Sequence, residues 1–110
     1  VLNAHLSAEK GARPGMTGKE LDKIARDIIY AAGYEGCFGH SLGHSLGLEV
    51  HENPRVSPSG ITPLTEGMLA TIEPGIYIEG KYGVRIENMV VFTNGGCENL
   101  TASPRELIIL

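Results

Sequence analysis

The sequence is poor in the features that mark several protein classes, and each absence narrows the function. Its two cysteines, Cys37 and Cys97, neither make a disulfide framework nor form a CxxC pair. No apolar run approaches the roughly 18 residues of a membrane span, and no stretch is typical of a signal peptide. Nine basic and thirteen acidic residues give a net charge of −4. The sequence has no basic face of the kind that indicates nucleic-acid binding. We therefore expect a cytoplasmic protein without membrane or nucleic-acid partners.

The length of the chain, 110 residues, suits one domain or a part of one. It begins at Val1 rather than Met, and its first residues already have a helical pattern with no N-cap ahead of them. We expect residues 1–110 to form one unit of a longer protein.

Two helices are predicted in the first third of the chain. Apolar residues within 1–12 suit the end of a helix, which the Arg-Pro-Gly segment at 13–15 stops. Thr17 and Glu20 fit a capping box, and apolar residues then keep helical spacing up to Gly33, where glycine suits the helix end. Four charged residues lie off the apolar stripe and predict a solvated face: Asp22, Lys23, Arg26 and Asp27.

Strand patterns dominate the rest of the chain. Glycines at 39, 43 and 47 favour a loop over residues 39–47, and alternation favours a strand at 48–51. A proline-rich connector follows at 53–65. Further strands are predicted at 68–73, 76–78, 84–92, 97–101 and 106–110. Two helices followed by strands without alternation predict an α+β fold, with helices packed on one face of a mostly antiparallel sheet.

The residues able to carry chemistry concentrate in three short segments. Three of the four histidines lie between residues 39 and 51, namely His40, His44 and His51. Glu73 closes a predicted strand before Pro-Gly, and Glu87 shares a strand face with Arg85. An imidazole with two carboxylates suits a divalent ion such as Mn²⁺, Co²⁺, Zn²⁺ or Fe²⁺. Two glutamates could also bridge a pair of ions roughly 3.5–4 Å apart.

Each of these residues, taken singly, also has an ordinary structural explanation. A histidine in a glycine-rich loop can be a hydrogen-bonded structural residue. Glu87 can pair with Arg85 at the surface, and Glu73 can be a turn residue. The glycines at 39–47 could also cradle a phosphate, although no GxGxxG or Walker pattern is present. The residue patterns by themselves leave these alternatives open.

Three segments in combination resemble a known family. HSLGLEVHE at 44–52, TIEPGIY at 71–77 and VRIENMVV at 84–91 resemble the closing motifs of the M24 metallopeptidases. This is the pita-bread family of methionine aminopeptidases, Xaa-Pro aminopeptidases and prolidases. The motif spacing is similar to that of the prolidase branch, and RPGMTGKELD at 13–22 resembles a further family segment. The resemblance implies the C-terminal portion of a pita-bread fold, within a longer peptidase that hydrolyses Xaa-Pro bonds.

The resemblance also implies a metal centre. His44 and Glu73 would each bind a metal, and Glu87 would bridge two divalent ions. Mn²⁺ is the ion expected, with Co²⁺, Zn²⁺ or Fe²⁺ as alternatives. Hydroxide held between the ions would attack the peptide bond.

Four further residues would act on the substrate if the resemblance holds. His40 and His51 would be catalytic residues that hydrogen-bond the substrate and help to move protons. Arg55 and Arg85 would bind substrate. Arg55 matches an arginine that holds the C-terminal carboxylate of a dipeptide in the prolidase branch, which favours a dipeptidase over an Xaa-Pro aminopeptidase. Arg85 also accompanies the last glutamate ligand and supports it.

One departure from the family pattern affects the expected activity. The family has two further ligands, both Asp, upstream of these motifs, and Asp22 and Asp27 do not match them. We therefore expect the missing ligands before Val1 and the isolated chain to be inactive. The whole protein is expected to be a homodimer that acts on proline-containing dipeptides or short peptides. Two other functions stay open, a non-catalytic pita-bread module that binds peptides or proteins and a creatinase-type hydrolase.

Overall fold

Two helices precede seven strands in the computed structural model, which describes residues 1–110. The elements are α1 (Leu2–Gly11), α2 (Gly18–Ala31), β1 (Gly43–Ser45), β2 (Glu52–Val56), β3 (Leu69–Ile72), β4 (Gly75–Ile78), β5 (Tyr82–Arg85), β6 (Asn88–Thr93) and β7 (Gly96–Asn99). Neither helix has the length and apolar character that crossing a membrane requires.

The strands form two antiparallel sheets. The larger sheet has five strands in the order β2-β1-β3-β6-β7, and β4 pairs with β5 in a separate ribbon. The helices pack on the larger sheet, α2 against β2 and α1 against β3 and β7. The predicted α+β architecture is therefore confirmed.

Helix α2 forms as the sequence predicts. Its N-terminal cap, its apolar face and its C-terminal glycine are all found where the sequence places them. Thr17 accepts a hydrogen bond from the Glu20 N–H, and the Glu20 carboxylate accepts one from the Thr17 N–H. The bond from the Thr17 backbone is the main reason why the pKa of Glu20 is lowered. Gly33 has φ +92°, which suits the residue beyond a helix end. The apolar stripe is fully buried at Leu21, Ala25 and Ile29.

The polar face of α2 is not wholly solvated, which corrects the prediction for two of its four charged residues. Asp22 is only 1% exposed and the Arg26 side chain 15%, whereas Lys23 and Asp27 are exposed and pair with each other at the surface. The prediction was wrong because helical periodicity describes one helix alone. Here the segment 38–42 lies across the polar face and takes hydrogen bonds from Arg26.

The predicted strand at 48–51 is also wrong. Residues 47–51 form bends, and Leu48 and Val50 are exposed rather than buried on one face. Strands lie on either side instead. β1 falls within the predicted loop, and β2 begins at Glu52 and continues into the predicted connector. β2 tolerates Pro54 because it is the edge strand of the sheet, where a missing N–H breaks few ladder hydrogen bonds.

Two strand predictions in the second half of the chain are also wrong. The long strand predicted at 84–92 is interrupted at Ile86 and Glu87, so β5 and β6 belong to different sheets. Residues 106–110 form no strand and have no partner in either sheet. The other strands predicted after residue 67 correspond to β3, β4 and β7.

Candidate active site

Adjacent strands bring the two candidate glutamate ligands together. Ile72 at the end of β3 pairs with Asn88 at the start of β6. Glu73 and Glu87 are the next residues on each side of that pair, so they leave the sheet at the same end. The Glu73 N–H also donates to the Leu42 carbonyl at 2.7 Å. The Glu73 side chain is consequently the more enclosed of the two, 13% exposed against 40% for Glu87.

His44 lies on β1 with its imidazole against Glu73. The ring Nδ1 is 3.1 Å from the Ser45 carbonyl oxygen, and Nε2 is 3.2 Å from Glu73 Oε1. Because a carbonyl oxygen only accepts hydrogen bonds, Nδ1 carries the proton. In the neutral ring, Nε2 then presents a lone pair to a carboxylate that is itself only an acceptor. Two acceptors that face each other fit a shared cation, so the donor set of His44 and Glu73 suits a divalent ion.

Glu87 faces the same cavity, but it is paired with an arginine. Arg85 Nη2 is 3.2 Å from Glu87 Oε2, and Arg85 Nε is 3.9 Å from Glu73 Oε2. The guanidinium thus lies between two carboxylates and offsets their mutual repulsion. No group of three His, Cys, Asp or Glu side chains gathers closely enough to hold a metal ion. The structure therefore joins His44 with Glu73 directly and Glu87 through Arg85.

His40 is held in one orientation by two hydrogen bonds. Its Nδ1 is 2.8 Å from the Ser41 carbonyl oxygen and must donate to it, so Nε2 accepts from the Tyr77 hydroxyl at 2.7 Å. The Phe38 ring packs edge-on against the imidazole at 5.1 Å between centroids. Tyr77 is a partner that sequence patterns did not identify, since it belongs to the separate β4–β5 ribbon.

The backbone beside His40 is fixed by the buried ion pair of α2. Arg26 donates to Asp22 through Nε at 2.7 Å and Nη2 at 3.0 Å, and these bonds raise the pKa of Arg26. The same guanidinium donates to the Phe38 carbonyl at 2.7 Å and the His40 carbonyl at 2.9 Å. Asp22 accepts from the Leu42 N–H at 2.9 Å. An Asp and an Arg four residues apart were the available signal, but this spacing is equally common on exposed helix faces.

His51 and Arg55 are the last two predicted site residues. The exposed His51 ring lies 4.5 Å from the His44 ring between centroids. Arg55 on β2 is the register partner of His44 on β1.

All seven predicted site residues border two adjoining cavities, of about 400 and 330 Å³. Both cavities are lined by His44, His51, Glu73 and Arg85. The first also contains Glu87, and the second contains His40 and Arg55. The structure therefore brings the predicted residues into one cleft, while their roles in it stay predictions.

Known proteins match both this sequence and this fold. The model of metallopeptidase family M24 matches residues 1–94. An Xaa-Pro dipeptidase of Pyrococcus furiosus is 56% identical over 108 residues, which is 98% of this chain. The solved structure of an Xaa-Pro dipeptidase from Bacillus anthracis superposes with a TM-score of 0.98 at 50% identity over 100% of the chain. That of an X-Pro aminopeptidase from Thermotoga maritima gives 0.95 at 52% identity, also over 100%.

These matches define a class of metal-dependent peptidases, and the chain belongs to metallopeptidase family M24. It matches a C-terminal part of the pita-bread fold of its structural neighbours. The chain spans 31% of the length of each of the three proteins described above. The family resemblance inferred from the motifs is confirmed, and M24 membership implies divalent metal ions.

Proposed function

We propose that the protein carrying this chain is a metal-dependent peptidase that hydrolyses Xaa-Pro bonds. The observation that supports this most directly is the convergence of His44 Nε2 and Glu73 Oε1 at 3.2 Å, in a cavity that Glu87 also lines. A non-catalytic module would have no need of this arrangement of acceptors. Membership of family M24 and the names of the similar proteins support the same activity.

His44, Glu73 and Glu87 would hold the metal in this proposal, with Glu87 released from Arg85 to do so. Bound divalent ions would supply an activated water and polarise the scissile carbonyl. Mn²⁺ is proposed because imidazole with several carboxylates suits it. Two further aspartate ligands would come from a part of the protein outside these residues. The chain would then be the C-terminal part of a catalytic domain and inactive by itself.

His40 and His51 would act on the substrate in the cavity that His44 also lines. The hydrogen bonds of His40 to Ser41 and Tyr77 fix its ring plane, and Nε2 would exchange the Tyr77 hydroxyl for a group of the bound peptide. His51 is exposed and no hydrogen bond fixes its ring, so it would hydrogen-bond the substrate and donate a proton to the leaving proline nitrogen as the Xaa-Pro bond breaks.

The placement of Arg55 favours a dipeptide substrate. Its side chain lines the same cavity as His40, His44 and His51. A guanidinium binds a carboxylate bidentately, so Arg55 can hold the chain end of a dipeptide at a fixed distance from His44 and Glu73. A longer peptide offers no carboxylate at that place. We therefore propose an Xaa-Pro dipeptidase rather than an Xaa-Pro aminopeptidase.

Arg55→Ala in the natural full-length protein tests this substrate class. We expect kcat/KM for an Xaa-Pro dipeptide to fall about 10- to 100-fold, as expected for losing hydrogen bonds between charged groups. Activity on an Xaa-Pro tripeptide should be unchanged or raised. Arg13→Ala, at an exposed arginine outside both cavities, is the matched control. An equal loss on both substrates would remove the proposed clamp.

The setting and assembly of the protein form part of the same proposal. Two unpaired cysteines suit a reducing cytoplasm. A homodimer is also proposed, with the apolar cavity of about 600 Å³ beside β5 as its candidate contact. Sedimentation of the full-length protein as a monomer would exclude the dimer.

A further inference from the structure

Thr71 lies between the backbone of His44 and the side chain of Glu73, two residues proposed to bind the metal. It is in β3 and is only 4% exposed, and its hydroxyl contacts both His44 and Glu73. Oγ1 is 3.1 Å from the His44 backbone nitrogen and 2.9 Å from Glu73 Oε1. One hydroxyl thus joins the strand that carries His44 to the carboxylate of Glu73.

The direction of both hydrogen bonds follows from the groups involved. A backbone N–H can only donate, so Oγ1 accepts from His44. The Glu73 carboxylate can only accept when ionised, so the Thr71 hydroxyl donates its proton to Oε1. A hydroxyl is suited to this place because it can donate and accept at once.

The close contact of β1 and β3 depends on a glycine. A Cβ built on Gly43 would lie 1.9 Å from the Thr71 carbonyl oxygen and 2.9 Å from Thr71 Oγ1. No other residue therefore fits at 43 without moving the strands apart. Gly43 lets the N–H of the next residue, His44, reach the Thr71 hydroxyl.

The oxygen that Thr71 holds is the one that faces the imidazole. Glu73 Oε1 accepts from Thr71 at 2.9 Å and lies 3.2 Å from His44 Nε2. Glu73 directly follows β3 and is two positions from Thr71, a spacing that puts both side chains on one side of an extended chain. A carboxylate fixed in this way keeps Oε1 directed at the imidazole.

We propose that Thr71 is a positioning residue whose hydroxyl holds the Glu73 carboxylate against His44 and thereby strengthens divalent metal binding. The role of Thr71 rests on the proposed function in one respect only, that His44 and Glu73 are metal ligands. Side chains that orient metal ligands typically change affinity by 10- to 100-fold when they are removed.

The test compares Thr71→Val with Thr71→Ser in the natural full-length protein. Valine keeps the shape and removes the hydroxyl, whereas serine keeps the hydroxyl. Thr71→Ala is made alongside, because it cannot crowd the site if valine prevents folding. Thr93→Val in β6 is the matched control, since Thr93 lines neither cavity of the site.

The first measurement needs no metal. In crystal structures of the metal-free variants, valine and alanine should let the Glu73 carboxylate turn away from His44, and serine should keep it in place. A carboxylate that stays in contact with His44 in the valine or alanine variant would overturn the proposal.

The second measurement is Mn²⁺ affinity by calorimetry. We expect a loss of about 10- to 100-fold for valine and alanine, with serine and Thr93→Val close to the unsubstituted protein. Equal losses for serine and valine would contradict a hydroxyl role. Peptide hydrolysis is not used here, so a protein that binds Mn²⁺ and cleaves no Xaa-Pro bond would refute the proposed activity and leave the role of Thr71 intact.

Discussion

The two halves of the histidine-rich stretch are held in different ways. Residues 38–45 are tied to α2 by the buried ion pair of Asp22 and Arg26 and to β3 by Thr71. Residues 47–51 form exposed bends. Leu48 is fully exposed and Val50 is 70% exposed. The first half carries His40 and His44, and the second carries His51.

This difference in burial and hydrogen bonding between the two halves corresponds to two different requirements of an active site. A metal ligand has to be placed within a fraction of an ångström, which requires buried and hydrogen-bonded surroundings. A residue that contacts the substrate also has to admit and release it, and segments with few buried contacts can do so. The fixed half therefore suits a metal ligand such as His44, and the open half suits the substrate contacts proposed for His51. His40 would contact the substrate from a fixed position.

Removing the anchor of the fixed half should have the largest effect on stability. Asp22→Ala removes the carboxylate that pairs with the largely enclosed Arg26 and leaves the Leu42 N–H without its acceptor. We expect the free energy of unfolding in urea to fall by about 3–5 kcal/mol, as for other broken buried ion pairs.

Asp27→Ala is the matched control for that measurement. Asp27 pairs with Lys23 on the same helix, but its side chain is 61% exposed. A surface pair is worth about 0–1 kcal/mol. Similar losses for the two variants would mean that the 38–42 segment does not depend on the buried pair.

Crowding β1 against β3 should have an intermediate effect. In Gly43→Ala the new Cβ would overlap the Thr71 carbonyl oxygen at 1.9 Å, and backbone cannot easily move aside. We expect a loss of about 1–3 kcal/mol or more in the same unfolding measurement. Gly96→Ala in β7 is the control, because its Cβ would meet nothing within 4 Å. A Gly43→Ala protein as stable as the Gly96→Ala protein would refute the close contact.

Substitution in the open half should have the smallest effect on stability. His51→Ala removes an exposed ring, so the free energy of unfolding should change by no more than about 0.5 kcal/mol. Under the proposed function, kcat should nevertheless fall about 10²- to 10⁴-fold, the usual contribution of a proton-transfer residue. A large loss of stability would show that residues 47–51 are as firmly held as residues 38–45.

Local sequence patterns predicted the parts of the fold that local interactions decide. The capping box at Thr17 and the apolar stripe of α2 act within one helix, so they were readable in the sequence. The patterns failed at β1, which is buried on all sides and shows no alternation of apolar and polar residues. They also failed at Glu87, where the chain leaves one sheet for another within a run of strand-forming residues.

The candidate site was predictable only in its residue types. The resemblance of the motifs selected His44, Glu73 and Glu87, and all three line one cavity. The residues that support the site were not predicted. Thr71, Tyr77 and Asp22 have no feature that distinguishes them from ordinary strand or helix residues. Each acts on a residue of the site through a contact between separate elements.

The sequence by itself determined the family, the helix boundaries and the set of residues available for chemistry, because these are recorded in order and spacing along the chain. Only the tertiary structure decided which charged residues are buried and which strands meet. It also decided the side chains that hold His40 and Glu73 in place. The physical reason is that burial and hydrogen bonding depend on what packs against a residue. For Asp22 and Thr71 those partners lie 20 and 27 positions away in the chain.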